Sequence, residues 1–91
     1  MVTGIVVVNV DRPMLRQAVN GIYALPGVTE IYTVAGEYDL VVMIRVSSNA
    51  ELADVIATKM THDIPGIRHT KTLISLNAEA KVDLKAIFGG K

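Results

Sequence analysis

Residues 36 to 39 read Gly-Glu-Tyr-Asp, within the stretch VAGEYDLVV from Val34 to Val42. Two carboxylates there stand beside aliphatic β-forming residues, where an unpaired charge is costly. Glycine with acids between apolar segments is turn chemistry, since glycine frees the backbone and aspartate bonds nearby backbone groups. On that reading Asp39 fixes the turn, Tyr38 caps the core and Glu37 is a solvated tip. Thr70 and Thr72 lie two apart, so on a strand they project from one face. Threonines there are also ordinary β-formers. His62 and His69 are the only histidines. With Asp63 they have the groups for metal or acid–base work, but they fall on different elements and read as surface residues. Arg12 and Arg16, one helical turn apart, and the distant Lys59 read as solvated helix faces rather than a phosphate site. No serine sits in a nucleophile motif. The chain has no cysteine, which excludes disulfides, thiolate metal sites and cysteine nucleophiles. No catalytic residue, metal or cofactor is expected.

The elements that hold these residues must come from 91 residues, enough for one domain with one core. Nine basic and nine acidic residues give zero formal charge. That argues against direct DNA or RNA binding, which needs a basic footprint, and against an electrostatic membrane anchor. Hydrophobic content of 51% and a mean hydropathy of +0.40 are high for a small domain. A partner is expected to cover part of that apolar surface. The N-terminus MVTGIVVVNV has no leading basic residues and no small-residue cleavage site, so it does not read as a signal peptide. Nowhere do about 18 apolar residues run together, as a membrane-spanning helix requires. The absence of cysteine fits a reducing compartment, and a cytoplasmic location is expected.

Thr3 to Val10, rich in β-branched residues, reads as the first strand. Asp11-Arg12-Pro13 reads as a helix start with Asp11 as cap. Leu15, Ala18, Val19 and Ile22 then share one helical face. Leu25-Pro26-Gly27 ends that helix. Val28 to Ala35 and Leu40 to Val46 read as strands. Ser48 and Glu51 have capping-box spacing before a second helix with an apolar face of Leu52, Val55, Ile56 and Met60. Ile64-Pro65-Gly66 ends it, and Ile67 to Leu76 reads as the fourth strand. LPGV and IPGI repeat with their prolines 39 positions apart, 65 − 26. Two β-α-β halves joined by a hairpin predict a ferredoxin-like α+β domain, βαββαβ. Its four-stranded antiparallel sheet carries two helices on one face. Val6-Val7-Val8 and Leu40 to Ile44 are apolar on both faces, which predicts a dimer through the open sheet faces. Residues 78–91 read as a tail with a short helix and a glycine-rich end, its Leu84, Ile87 and Phe88 packing on a neighbouring subunit.

Two motifs inside this pattern carry a family resemblance. Val34-Ala35-Gly36-Glu37-Tyr38-Asp39 leads into an apolar strand. Pro65-Gly66-Ile67-Arg68-His69-Thr70-Lys71-Thr72 opens the last strand. Together, over roughly residues 3 to 77, they resemble the Lrp/AsnC family of feast/famine regulators, and within it the effector-binding RAM module. The resemblance implies residues 1–77 as a RAM-like ligand-binding domain. The chain starts directly at the first strand, where family members carry a helix-turn-helix domain, so a stand-alone RAM protein is expected.

The resemblance further implies an amino acid or similar small metabolite as effector, held between dimers that assemble further, often into an octamer. Gly36 would let the hairpin approach, with neighbouring N–H groups on the ligand carboxylate. Asp39 would accept from its ammonium. Tyr38 would wall the pocket, Glu37 completes the loop, and Thr70 and Thr72 would bond the ligand from an adjacent subunit. Co-assembly with full-length relatives is one route from such binding to transcription; a metabolic partner is another. The competing readings are a small ferredoxin-like enzyme (a cofactor-free monooxygenase or isomerase), an ACT-like regulatory domain, and a purely structural oligomer. The enzyme reading needs polar residues pointing into the core, and the helix faces are aliphatic.

Overall fold

The computed structural model describes residues 1–88; the glycine-rich end, residues 89–91, lies outside the described residues. The chain runs β1 (Val2–Val10), a 3-10 turn (Arg12–Met14), α1 (Leu15–Tyr23), β2 (Val28–Thr33) and β3 (Leu40–Val46). A second helix begins as α2 (Asn49–Ala53), continues as a π-helical segment (Asp54–Met60) and ends in a turn, α3 (Thr61–Asp63). β4 (Ile67–Ile74) and a short α4 (Leu84–Phe88) follow. The four strands form one antiparallel sheet in the order β2-β3-β1-β4, the ferredoxin-like arrangement.

Register separates the two faces. Val6 pairs with Val42 and with Thr72, so these three share a face. That face supplies Val6, Val8, Val10, Leu40, Val42, Ile44 and Val46 to the core. The helices bring Ala18, Ile22, Leu52, Val55, Met60 and Ile64 against them. Among the described residues the core holds no buried polar or charged residue. Burying each such aliphatic side chain contributes about 1.5–3 kcal/mol, which holds the helices on this side.

The Pro-Gly breaks work through close approach. Gly27 and Gly66 have φ of 84° and 94°, where side chains are disfavoured. A Cβ on Gly27 would lie 2.6 Å from Val46 Cγ1, and one on Gly66 2.8 Å from Met14 Cβ. The chain therefore turns tightly against Val46 of the core at the first repeat and against Met14 at the second.

Two helix starts differ from expectation in detail. Asp11 makes no side-chain cap; Pro13 sits in the 3-10 turn, and the Asp11 carboxylate stands 3.6 Å from Arg68 Nε. At α2 the Glu51 N–H donates to Ser48 Oγ at 3.1 Å, as a capping box requires. The Glu51 carboxylate accepts instead from Ser47, from Oγ at 2.5 Å and from N at 3.3 Å. These bonds hold the Glu51 carboxyl below its usual range.

The π segment answers a spacing problem. Leu52, Val55 and Met60 are buried, and Ile56 is half-buried. Five residues of α-helix would rotate Met60 about 140° away from Val55. A π turn pairs residues five apart and returns Met60 to the core side. Accordingly, the Thr61 N–H and hydroxyl both donate to the Ile56 carbonyl.

On the other face, Ile5, Val7, Val41 and Met43 are half-buried, and Tyr32 and Leu73 are each 50% exposed. Arg45 lies on this face too, opposite Thr3. The tail packs on its own chain: the Phe88 ring centroid lies 4.1 Å from the Arg45 guanidinium. Leu84 and Phe88 are half-buried, while Ile87 is exposed.

Candidate functional site

The β2–β3 hairpin carries the Gly36–Asp39 loop, and β1 pins it from the side. The Val34 N–H donates to the Asp39 carbonyl at 2.9 Å and closes the loop. The Asp39 N–H donates to the Val8 carbonyl at 2.9 Å. The Asn9 side-chain amide donates to the Glu37 carbonyl at 2.9 Å, and the Val10 N–H donates to Asp39 Oδ2 at 2.8 Å. The reason is a length mismatch. β3 begins at Leu40, paired with Val8, while β1 runs on to Val10. Asp39 takes up the backbone donor left without a ladder partner. Its carbonyl closes the turn, while its carboxylate fixes a strand 29 positions away.

Gly36 has φ of 130°, and a Cβ there would meet nothing within 4 Å. Its backbone faces open space, unlike that of Gly27 or Gly66. Ala35, Gly36 and Glu37 are exposed; Tyr38 and Asp39 are half-buried. The loop therefore offers accessible backbone beside a carboxylate with one oxygen already anchored.

The threonines sit elsewhere in the chain. Thr70 and Thr72 pair with Val8 and Val6 and share their helix-side face, on the edge strand β4. β1 lies between β4 and β3, so Thr70 is level with Leu40 but two strand spacings away, roughly 10 Å. One chain does not bring them onto the hairpin. Thr72 instead lines an aliphatic cleft of about 250 Å³ with Asn49, Leu52, Ile56, Ala57 and Ile74.

His62 Nδ1 and Asp63 Oδ1 are 3.4 Å apart with side chains 84% and 63% exposed, and His69 lies on β4 opposite Asn9. Among the described residues no group of three or more His, Cys, Asp or Glu could hold a metal ion. Arg12 and Arg16 are exposed, and Lys59 bonds Asp54 at 3.0 Å, which lowers the Asp54 pKa.

One polar cluster escaped the sequence reading. On the open sheet face Arg45 Nη1 donates to Thr29 Oγ1 at 2.5 Å and to Glu30 Oε1 at 2.6 Å. The Tyr32 hydroxyl donates to Glu30 Oε2 at 2.5 Å. The Tyr32 bond and then the Arg45 guanidinium hold the Glu30 carboxyl below its usual range; Glu30 in turn raises the Tyr32 pKa. The Arg45 side chain is only 8% exposed, and its buried Nε has no partner among the described residues. The signal was a lone arginine in the apolar run LVVMIRV, with a glutamate in the strand beside it.

Comparison with known proteins places this architecture. Residues 3–82 match the Lrp/AsnC ligand binding domain. An uncharacterized HTH-type transcriptional regulator of Pyrococcus abyssi is 34% identical over 62 residues, 68% of this chain and 41% of that protein. The chain thus spans about two-fifths of that relative's length. TTHA0845 from Thermus thermophilus superposes with a TM-score of 0.82 at 31% identity, covering 89% of this chain and all of that one. The fold of E. coli AsnC matches over 92% of this chain and 56% of that one, with a TM-score of 0.81 at 24% identity. No helix among the described residues is long and apolar enough to cross a membrane. The ferredoxin-like sheet and the match across residues 3–82 agree: the chain belongs to the Lrp/AsnC family, as its ligand-binding regulatory domain.

Proposed function

We propose that the Gly36–Asp39 hairpin binds an amino acid or similar small metabolite and that the chain is a regulatory module, not an enzyme. The observation that carries this is the hairpin's construction: its backbone is held by Val8 and Asn9 and its Asp39 carboxylate by the Val10 N–H, yet Gly36 stands open. A rigid loop with accessible N–H groups suits a carboxylate, and the unanchored Asp39 oxygen suits an ammonium. Tyr38, half-buried beside them, walls the side-chain end. Among the described residues the core between sheet and helices is all apolar and gives an enzyme no polar groups to use there.

Assembly belongs to the same reading. Two copies pair through their open sheet faces, where Ile5, Val7, Val41 and Met43 are half-covered in one chain. Further association of dimers, up to an octamer, brings Thr70 and Thr72 of one subunit to the hairpin of another. The balanced charge disfavours direct DNA contact, so co-assembly with longer, DNA-binding relatives in the cytoplasm carries the signal.

The test is a thermal-shift screen against the twenty amino acids, with light scattering on the same samples. A ligand that binds only the folded state raises the melting temperature. Asp39→Asn keeps an acceptor for the Val10 N–H and removes the charge. A shift in the natural protein that Asp39→Asn abolishes supports the site. No shift with any amino acid, from an intact oligomer, refutes the amino-acid reading.

A further inference from the structure

The open face of the sheet is not wholly open. Arg45 belongs to β3, an inner strand, paired with Thr3 of the other inner strand. Phe88 of α4 closes over its guanidinium, so the chain's own C-terminal helix sits over one end of the central strand pair. Side chains further along that face remain uncovered, Tyr32 and Leu73 among them. A second copy laid across the inner strands and the helix α4 therefore need the same surface.

The attachment of α4 is slight. It has five residues, too few to be stable as a helix on its own. Between it and β4, Ser75 to Asp83 contains no helix or strand, so α4 can leave without disturbing the sheet. Ile87 of α4 is 59% exposed and Val82, just before the helix, is 57% exposed, so apolar side chains at this end face outward as well. Resting on the proposed pairing of sheet faces, we propose that α4 is a strap: it shields Arg45 in the isolated chain and lifts when a second copy docks.

The strap must then oppose self-association. An arginine–aromatic contact favours the closed form about two- to fivefold, and two straps lift per dimer. Phe88→Ala in the full chain should tighten the dimer about four- to twenty-five-fold in sedimentation equilibrium, with little change in melting temperature. Phe88→Trp places a lone reporter in a chain that has no tryptophan. Its emission should shift to the red as rising protein concentration drives dimer formation. If the natural chain dimerises but Phe88→Ala leaves the affinity unchanged or weaker, the strap is refuted and the sheet pairing stands. An unchanged emission through the dimerisation range refutes it equally. If neither chain associates at any concentration, the sheet pairing and the strap fail together.

Discussion

On the helix side of the sheet, Val6, Val8, Leu40, Val42 and Ile44 are fully buried. One position along the same strands, Ile5, Val7, Val41 and Met43 stay half-exposed, beside an arginine whose side chain is nearly buried and bound to Glu30. The strands are nearly as apolar toward one side as toward the other. What separates the faces is the company they keep: helices seal the first, while the second has polar cross-links and a short strap. Hydrophobicity alone thus says how much surface wants cover, and register says which cover the chain itself provides.

The sharpest break of that comparison uses neighbours on β3. Ile44→Ala should cost about 2–5 kcal/mol in denaturant unfolding, because it opens a cavity in a sealed core. Met43→Ala, one residue away on the other face, should cost under about 1 kcal/mol at low protein concentration. Its larger effect should be on self-association in light scattering. Equal unfolding costs for the two would mean that the open face is packed as tightly as the core.

The polar cross-link comes next. Glu30→Gln leaves a nearly buried guanidinium without its carboxylate and should cost about 1–3 kcal/mol. Arg45→Met removes the buried charge, fills similar space and should be nearly neutral in the same unfolding experiment. If Arg45→Met were as harmful as Glu30→Gln, the pair would be adding net stability rather than satisfying a buried charge.

At the hairpin, Asp39→Ala should cost about 1–2 kcal/mol, since the Val10 N–H loses its acceptor. Asp39→Asn should recover most of that in a melting curve. The two variants separate the structural bond from any ligand effect, a distinction that Asp39→Ala alone does not make.

The smallest effect is on acid stability. Glu30 has a lowered folded pKa, so its contribution is complete above the usual glutamate value near pH 4.3. It is lost as pH falls through the folded value. The stability gap between the natural chain and Glu30→Gln should therefore narrow below about pH 4, by less than about 1 kcal/mol because Glu30 is partly exposed.

Much of the fold was legible because it rests on local pattern: β-branched runs, Pro-Gly breaks and the 39-residue repeat of those breaks. The π segment was not, because Leu52, Val55, Ile56 and Met60 read as one broad α-helical stripe, and only the burial of Val55 and Met60 ahead of Ile56 reveals the narrower face. The Arg45–Glu30 pair depends on how β2 and β3 align past an irregularity between Val28 and Glu30, which no local pattern shows. The hairpin residues stood out by type, yet the partner of Asp39 on β1 became visible only once the strands were laid side by side. Thr70 and Thr72 were correctly placed on one face, but their distance from the hairpin is a matter of strand order.

The bond from Asp39 to Val10 has a mechanical consequence. It grips β1 at the joint where β1 slips its register against β4, between Asn9 and Val10. The next residue, Asp11, donates its N–H to the Gly66 carbonyl and accepts from the Met14 N–H ahead of α1. Hairpin tip, strand joint, Pro-Gly break and helix entrance are thus coupled like parts on one shaft. The Asp39 carboxylate is linked to the start of the far edge strand by hydrogen bonds along the chain rather than through the core.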